Sequence, residues 1–251
     1  MLRATFLCFL VSLQWDFLRA AYQPRVAIQC NVYPSLAVVS HIDHLSLCGA
    51  TIITKRLVLT ARTCVADDEP SNVRVAVGQL SEQQEYSAVK FYTYQFEVEK
   101  NHSVSLVEVS SDFQMSQSVK VVALPYGLTI ADMKDLKGSS LLVTDWEHNA
   151  WLIDGHDVVG GVLNLTVMYT FIGDDEKCTK QNRWQDFICT SNVHNVTLKT
   201  IGGPILFRNH TTGAVKIVGV VTTGSFLERP LVTYNMNVIP MLSWLEIFLK
   251  K

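Results

Sequence analysis

The chain has 251 residues, of which 48% are hydrophobic and 18% are charged, and its formal net charge is −2. This length supplies enough apolar material for one large β domain or two small ones. A nearly neutral chain argues against nucleic acid or an anionic membrane as a partner, because both need a concentrated basic face.

The first 21 residues have the layout of a secretory signal peptide. Arg3 precedes an apolar segment from Ala4 to Leu13, and the small residues Ala20 and Ala21 follow a short polar stretch. The apolar segment is shorter than the ~18 residues that a membrane-spanning helix needs. We therefore predict cleavage near this alanine pair and a secreted, extracellular protein that comprises residues 22–251.

Secretion affects how the cysteines and the Asn-X-Ser/Thr tripeptides are interpreted. In an oxidising compartment most cysteines form disulfides. The cysteines after the signal peptide are Cys30, Cys48, Cys64, Cys178 and Cys189. Their number is odd, so at least one thiol is left over within the chain.

The Asn-X-Ser/Thr tripeptides predict a glycoprotein. Their asparagines are Asn101, Asn164, Asn195 and Asn209.

Past the signal peptide, short β-rich segments alternate with polar turns. They include SLAVVS, ATIIT, RLVLTA, VRVAVG, KVVALP, SLLVT, VLNLTVMY, AVKIVGVVTTG and LVTYNMNV. Many short strands without helical periods between them predict an all-β sandwich or a pair of barrels. The last segment, VIPMLSWLEIFLKK, predicts a C-terminal helix over about 239–250. Its expected docking face consists of Ile239, Leu242, Leu245, Ile247 and Leu249.

The segment LCGATIITKRLVLTARTCV, from Leu47 to Val65, resembles a segment of trypsin-like serine proteases. There, Cys-Gly-Gly-Ser-Leu-Ile leads to Val-Leu-Thr-Ala-Ala-His-Cys. Further matches follow in the family's order: SVSLVEV, VVALP, VTDW, KTIGGP, IVGVVTTG and Trp244. The resemblance covers essentially the whole mature chain. It implies two six-stranded antiparallel β-barrels packed face to face, at about 26–125 and 126–238, and the disulfides Cys48–Cys64 and Cys178–Cys189.

The resemblance also shows which residues hold the family's catalytic positions. In the family a His takes a proton from a Ser, a buried Asp orients the His, and backbone N–H groups bind the oxyanion. Here Thr63 matches the His, Ser103 the Asp and Ile201 the nucleophile. Threonine is not a general base near neutral pH, serine carries no charge, and isoleucine has no nucleophilic atom. We therefore expect no catalytic residues, and a pseudoenzyme.

Positions that support catalysis in the family are altered as well. Lys199 replaces a Gly that lets an N–H face the oxyanion, and Thr200 replaces the Asp that pairs with the new N-terminus of the cleaved zymogen. The former substrate cleft is predicted to bind a protein. Its residues are Asn195, Lys199, Thr222, Thr223 and Gly224.

The resemblance therefore implies a serine protease homologue that acts by binding, as a cofactor, decoy or regulator in an extracellular immune or reproductive protease pathway. The expected partner is an active protease, its inhibitor or another secreted protein, with no cofactor. Cys30 is expected to be either a buried free thiol or a disulfide to a second chain. Two alternatives stay open: a cryptic hydrolase with a non-standard active site, for example a Lys base with a Ser or Thr nucleophile, and a small-ligand site in the vacated cleft.

Histidine spacing gives no sign of a metal site. His41 and His44 are three residues apart in a segment that looks like a loop, without a cluster of cysteines or carboxylates. We expect both to be solvated loop histidines.

Overall fold

The computed structural model describes residues 26–27, 33–42, 47–78, 83–94, 103–129, 132, 140–147, 151–153, 156–158, 163–172, 187–192, 201–209, 212–222 and 232–250. Within the strands, only the backbone is described at 26–27, 140, 145–147, 151–153, 156–158, 163–172, 189, 191–192 and 232–235.

The described chain is almost entirely β, as the sequence predicts. The strands are β1 Val26–Ala27, β2 Leu36–His41, β3 Leu47–Ile52, β4 Leu57–Ala61, β5 Val73–Val77, β6 Gln84–Tyr94, β7 Val104–Val109, β8 Ser140–Glu147, β9 Trp151–Ile153, β10 His156–Val158, β11 Leu163–Ile172, β12 Phe187–Asn192, β13 Pro204–Arg208, β14 Val215–Val221 and β15 Val232–Asn237. Valine, isoleucine, threonine and aromatic residues dominate most of them, and these side chains fit a pleated, buried surface well.

Six strands close the first barrel in the order β2-β3-β4-β7-β6-β5. Closure removes the free edges that would otherwise pair with other chains. Strand β4 is buried on both faces: Val58 packs inside this barrel, whereas Leu57 and Leu59 belong to a second cluster shared with the other sheet. The continuous apolar run in RLVLTA is explained by this double burial.

The second sheet has seven strands in the order β1-β11-β12-β15-β14-β13-β8. Strand β8 also pairs along its length with β11, which closes six of these strands into a ring. The short β1 adds to β11 in parallel. Strands β9 and β10 form a separate hairpin. The predicted fold of two packed six-stranded barrels is thus confirmed.

The segment KVVALP was predicted as a strand, and this prediction is wrong. It is extended but makes only one isolated bridge, from Ala123 to Lys216. The N–H of Val122 donates to the carbonyl of Ile52 in the first barrel, and the carbonyl of Ala123 accepts from Ile217 in the second. The segment therefore connects the barrels through backbone hydrogen bonds to each. Val122 and Leu124 are buried in the shared apolar cluster, whereas Val121 is 43% exposed.

The C-terminal helix is present, and it buries part of the predicted face: Ile239, Leu242 and Leu245 pack into the apolar clusters. A short 3-10 turn, Ile239–Met241, leads into α1, Leu242–Leu249. Leu245 is fully buried, and Trp244 and Phe248 stack on Tyr94 and Tyr92 of β6, with ring centroids 5.2 and 4.7 Å apart. Helical geometry places residues three and four apart on one face. Two members of the predicted face consequently point outward: Ile247 is 58% exposed and Leu249 36%.

Candidate functional site

The candidate site surrounds a disulfide at the seam between the two barrels. Cys48 in β3 and Cys64 in the 3-10 turn Arg62–Cys64 are bonded, with their Cα atoms 6.0 Å apart. This is the pairing that the family resemblance implies. Closing a loop of this length stabilises a fold chiefly by restricting the unfolded chain. The disulfide therefore holds the turn that follows β4 against β3.

Thr63 and Ser103 lie beside each other on this seam. Thr63 is exposed in the 3-10 turn, whereas Ser103 stands just before β7 and is only 1% exposed. The N–H of Arg62 donates to the carbonyl of Ser103 at 2.9 Å, which fixes the two segments together. The Ser103 hydroxyl has no hydrogen-bond partner in the described structure. A buried hydroxyl without a partner is destabilising.

Ile201 reaches the same seam from the other barrel. Its carbonyl accepts a hydrogen bond from the N–H of Gly49 at 2.8 Å. Its side chain is partly buried and packs against the apolar core of the first barrel. Thr63, Ser103 and Ile201, which we call the three matched positions, therefore gather around one disulfide. They contribute two hydroxyls and a hydrocarbon to it.

A set of close backbone contacts next to Ile201 joins the barrels. We call Gly49, Thr60, Gly202, Gly203 and Val221 the inter-barrel frame. The Thr60 hydroxyl donates to the Gly49 carbonyl at 2.7 Å, and the Gly202 N–H donates to the Val221 carbonyl at 2.6 Å. The Val221 N–H in turn donates to the Gly203 carbonyl at 2.9 Å. These hydrogen bonds lie within the separate barrels. The barrels meet where Gly49 approaches the backbone of Gly203 and where the Gly49 N–H donates to the Ile201 carbonyl, and this contact leaves no space for a Cβ on Gly49.

The two glycines of KTIGGP are required by this frame. Gly202 has φ +86°, a left-handed conformation that favours glycine, and a Cβ there would overlap the Gly49 carbonyl and the Thr60 hydroxyl. A Cβ on Gly49 would lie 2.6 Å from the Cα of Gly203. The Gly-Gly-Pro sequence therefore has a packing role that is independent of any reaction at residue 201.

His41 does not fit its predicted role. It ends β2 and is only 7% exposed, so the expectation of a solvated loop histidine is wrong. Its Nε2 lies 2.9 Å from the Cys64 carbonyl, and its Nδ1 lies 3.2 Å from a carboxylate oxygen of Asp68. The second contact has the distance of an ion pair but not the alignment of a hydrogen bond. Burial follows from the position of His41 at the end of the apolar run in β2.

The His41 ring anchors the disulfide-bonded turn rather than facing the seam as a base. A carbonyl oxygen only accepts hydrogen bonds, so Nε2 must carry the proton in its contact with Cys64. Sequence reasoning missed both His41 and Asp68 as structural residues. The one available signal was the uninterrupted strand pattern that leads into His41.

The structure describes the remaining predicted residues to different extents. Thr222 follows β14 and is 3% exposed, and Cys189 and Asn164 lie in β12 and β11 with only their backbones described. The predicted residues outside the described part of the chain are Cys30, His44, Asn101, Cys178, Asn195, Lys199, Thr200, Thr223 and Gly224. The predicted Cys178–Cys189 disulfide and the rest of the cleft therefore stay predictions.

The described residues hold neither a cluster of metal ligands nor a helix that could span a membrane. No group of three or more His, Cys, Asp or Glu side chains among them could hold a metal ion. None of the helices in the described ranges is both long and apolar enough to cross a membrane.

The family follows from a direct match. Residues 27–245, most of the chain, match the Trypsin family. The chain belongs to the trypsin family. It is 24% identical over 216 residues to "Venom serine protease 34" of Apis mellifera. It is 26% identical over 211 residues to "Clotting factor G beta subunit" of Tachypleus tridentatus, and 26% identical over 216 residues to "Venom serine protease" of Polistes dominula.

These relatives differ in how much of their length is matched. The alignments cover 78%, 74% and 79% of this trypsin-family chain. They cover 50% of the Apis protein, 65% of the Tachypleus subunit and 74% of the Polistes protein. The chain thus spans about half to three quarters of the length of these curated relatives.

Proposed function

We propose that this chain is a secreted trypsin-family protein that does not hydrolyse peptides and acts by binding an extracellular protein of a protease pathway. The observation that carries the proposal is the composition of the three matched positions. Thr63, Ser103 and Ile201 gather at the seam where the family places its reactive groups, and together they offer neither a base nor an activated nucleophile.

The chemistry of acyl transfer supports this proposal. A nucleophilic oxygen and a base must lie within about 2.6–3.2 Å of each other. Ile201 has no oxygen, and the Ser103 hydroxyl is buried without a hydrogen-bond partner among the described residues. His41, the one histidine whose side chain the structure describes, has its Nε2 against the Cys64 carbonyl. The described seam therefore lacks the base that the exposed Thr63 hydroxyl would need.

Binding is the role that such a seam can still perform. The contact of Gly49 with Gly203 holds the two barrels against each other, and the disulfide holds the turn that carries Thr63 against β3. The seam, which the resemblance makes a former substrate groove, therefore keeps a fixed shape. Its described surface combines the exposed Thr63 with the partly exposed hydrocarbon of Ile201. A fixed, partly apolar groove with a polar border is the kind of surface that binds proteins.

The relatives support the setting and the class of partner. Their printed names are two venom serine proteases and a clotting factor subunit, which fits a role outside the cell. We propose that the partner is an active trypsin-family protease or its inhibitor, and that the chain acts on it as a cofactor, decoy or regulator. Cys30 is the residue that would make this association covalent, through a disulfide to a second chain.

Catalysis is tested with an active-site-directed fluorophosphonate probe and a broad peptide library. We expect neither labelling nor hydrolysis by the purified full-length chain, with an active trypsin-family protease as the positive control. Covalent labelling that disappears on substitution of a single serine or threonine would overturn the proposal. It would favour the cryptic hydrolase instead.

Binding is tested by measuring how the chain changes the rate of a trypsin-family protease purified from the same secretion. Thr63→Arg places a long charged side chain in the groove and should weaken the effect at least tenfold. Ile247→Arg adds the same charge on the outward face of α1 and should leave the effect unchanged. Equal behaviour of the two variants would rule out the seam as the binding surface. Comparison of the native complex with and without reductant, and of Cys30→Ser, tests the covalent link.

A further inference from the structure

Asn209 stands at the tip of the hairpin that joins β13 and β14. Its N–H donates to the carbonyl of Ala214 at 2.8 Å, and its carbonyl accepts from the N–H of Gly213 at 2.8 Å. The residues around it, Arg208, Thr212, Gly213 and Ala214, are all exposed. In the sequence Asn209 begins the tripeptide Asn-His-Thr, an acceptor for N-linked glycosylation. The structure thus places the acceptor residue, Asn209, between exposed residues in the connection from β13 to β14.

The side chain of Asn209 is already oriented by the turn. Its Oδ1 accepts a hydrogen bond from the N–H of Thr212 at 3.0 Å. Such a bond from an asparagine to the backbone ahead of it is common in turns. N-glycosylation modifies Nδ2 and leaves Oδ1 an amide oxygen, so a glycan preserves this contact. The turn is therefore compatible with the modification.

We propose that Asn209 carries an N-linked oligosaccharide; this inference rests on the secretion that the proposed function includes. The donor is an oligosaccharide held on a lipid diphosphate. Nδ2 attacks its anomeric carbon, a carbon–nitrogen bond forms, and the bond from that carbon to the diphosphate oxygen breaks. Nδ2 loses one proton to a base, and the lipid diphosphate leaves with the electron pair.

The backbone surroundings of Asn164 differ from those of Asn209. Asn164 lies within β11, and its backbone is paired with Ala27 of β1 on one side and Glu147 of β8 on the other. Asn209 lies beyond the end of β13, where the hairpin turns back on itself. A bulky, hydrated glycan needs a surface position, and the exposed residues on both sides of Asn209 provide one. The described structure therefore supports Asn209 directly, whereas it describes only the backbone at Asn164.

A glycan on Asn209 also leaves the proposed binding surface open. Ile201, Gly202 and Gly203 come just before β13, and Asn209 comes just after it. A five-residue strand spans roughly 15 Å. The glycan would therefore be attached at the opposite end of β13 from the seam, where it does not occupy the groove.

The test is secretion of the full chain, with its own first 21 residues, from cultured insect cells. Protein from the medium is treated with a glycosidase that converts each glycosylated asparagine to aspartate, and the peptides are sequenced by mass spectrometry. We expect the conversion at position 209. We also expect Asn209→Gln and Thr211→Ala each to remove one glycan from the intact protein. Thr211→Ser, which keeps the acceptor tripeptide, and the neighbouring Thr212→Ala should retain it.

Secreted protein with an unmodified Asn209 would overturn this inference and leave the proposed function intact. A chain that is glycosylated at Asn209 but is labelled by the fluorophosphonate probe would overturn the proposed function and leave this inference intact. Failure of the chain to reach the medium would refute the secretion on which both depend.

Discussion

The inter-barrel frame and the three matched positions lie within a few residues of each other, yet they obey different constraints. The frame resembles the family because Gly49 and Gly203 are in backbone contact and Gly202 has a left-handed φ. The matched positions meet a looser constraint, because Thr63 is exposed and Ile201 is partly exposed, although Ser103 is buried. We therefore expect this trypsin-family seam to tolerate changes of side chain at Thr63 and Ile201 without losing the packing that holds its barrels together.

The sharpest test of this difference is Gly202→Ala. The added Cβ would overlap the Gly49 carbonyl and the Thr60 hydroxyl, and alanine would also be strained at φ +86°. We expect the free energy of unfolding to fall by more than about 3 kcal/mol, since steric overlap and backbone strain add. Urea denaturation followed by tryptophan fluorescence measures it.

Gly213→Ala is the matched control for this substitution. Gly213 has a similar φ of +69°, but a Cβ there meets nothing within 4 Å. It should therefore show only the backbone strain of about 1 kcal/mol. If the two variants lose equal stability, the close packing around Gly202 adds nothing to the cost of the substitution. The inter-barrel frame would then impose no constraint beyond the backbone conformation of Gly202.

Removal of the disulfide should have the next largest effect. Cys48 and Cys64 are separated by 16 residues, and opening a loop of this size costs about 3 kcal/mol in the chain-entropy treatment. We expect Cys48→Ala with Cys64→Ala to lose about that much stability. Equilibrium denaturation of the double variant, compared with the oxidised and reduced wild-type chain, measures it. A double variant as stable as the oxidised chain would show that the buried contacts around the turn, including the one from His41, hold it without the bond.

Sequence reasoning reached the two barrels and the Cys48–Cys64 disulfide, and it failed where distant segments meet. The alternating and continuous apolar runs, such as RLVLTA, were sufficient to predict strands, because each strand carries its own burial pattern. KVVALP has the same composition, but it bridges two sheets instead of joining either, which depends on Ile52 and Ile217 far away in the chain. The helix face was wrong in part, since the stacking of Trp244 and Phe248 on β6 leaves Ile247 and Leu249 exposed.

The candidate site shows the same limit. Thr63, Ser103 and Ile201 could be assigned because each lies inside a local motif. The contact of Gly49 with Gly203, and that of His41 with Cys64 and Asp68, join segments from different parts of the fold. No local pattern encodes such pairs, so the frame could be recognised only from the structure.

A side-chain hydrogen bond away from the seam shows how much stability an ordinary contact contributes by comparison. The Tyr92 hydroxyl on β6 donates to a carboxylate oxygen of Glu108 on β7 at 2.7 Å. This hydrogen bond, together with burial, raises the pKa of Tyr92 above its usual value of 10.0. Because the folded state favours the protonated phenol, the contact stabilises the fold below pH 10.0 and the contribution is lost as pH rises through the raised pKa.

Tyr92→Phe should therefore cost about 1 kcal/mol at neutral pH, as expected for one partly buried hydrogen bond. The difference between the variant and the wild-type chain should shrink in alkaline solution. Denaturation at pH 7 and above pH 10, with tyrosinate absorbance recorded in parallel, measures both. A difference that grows with pH would mean that the sign of the pKa shift is wrong.

A change in stability of similar size is expected at Ile201 itself. Ile201→Ser removes partly buried hydrocarbon from the first-barrel core and should cost about 1 kcal/mol. Ile201→Ala is the matched control, because it loses similar hydrocarbon without gaining a hydroxyl. We expect neither variant to react with a fluorophosphonate, since the proposed match leaves Thr63 where the family has its base. Labelling of the serine variant alone would reveal a base among the residues around the seam. The proposed absence of catalysis would then depend on one side chain, and the separation between the frame and the matched positions would no longer account for it.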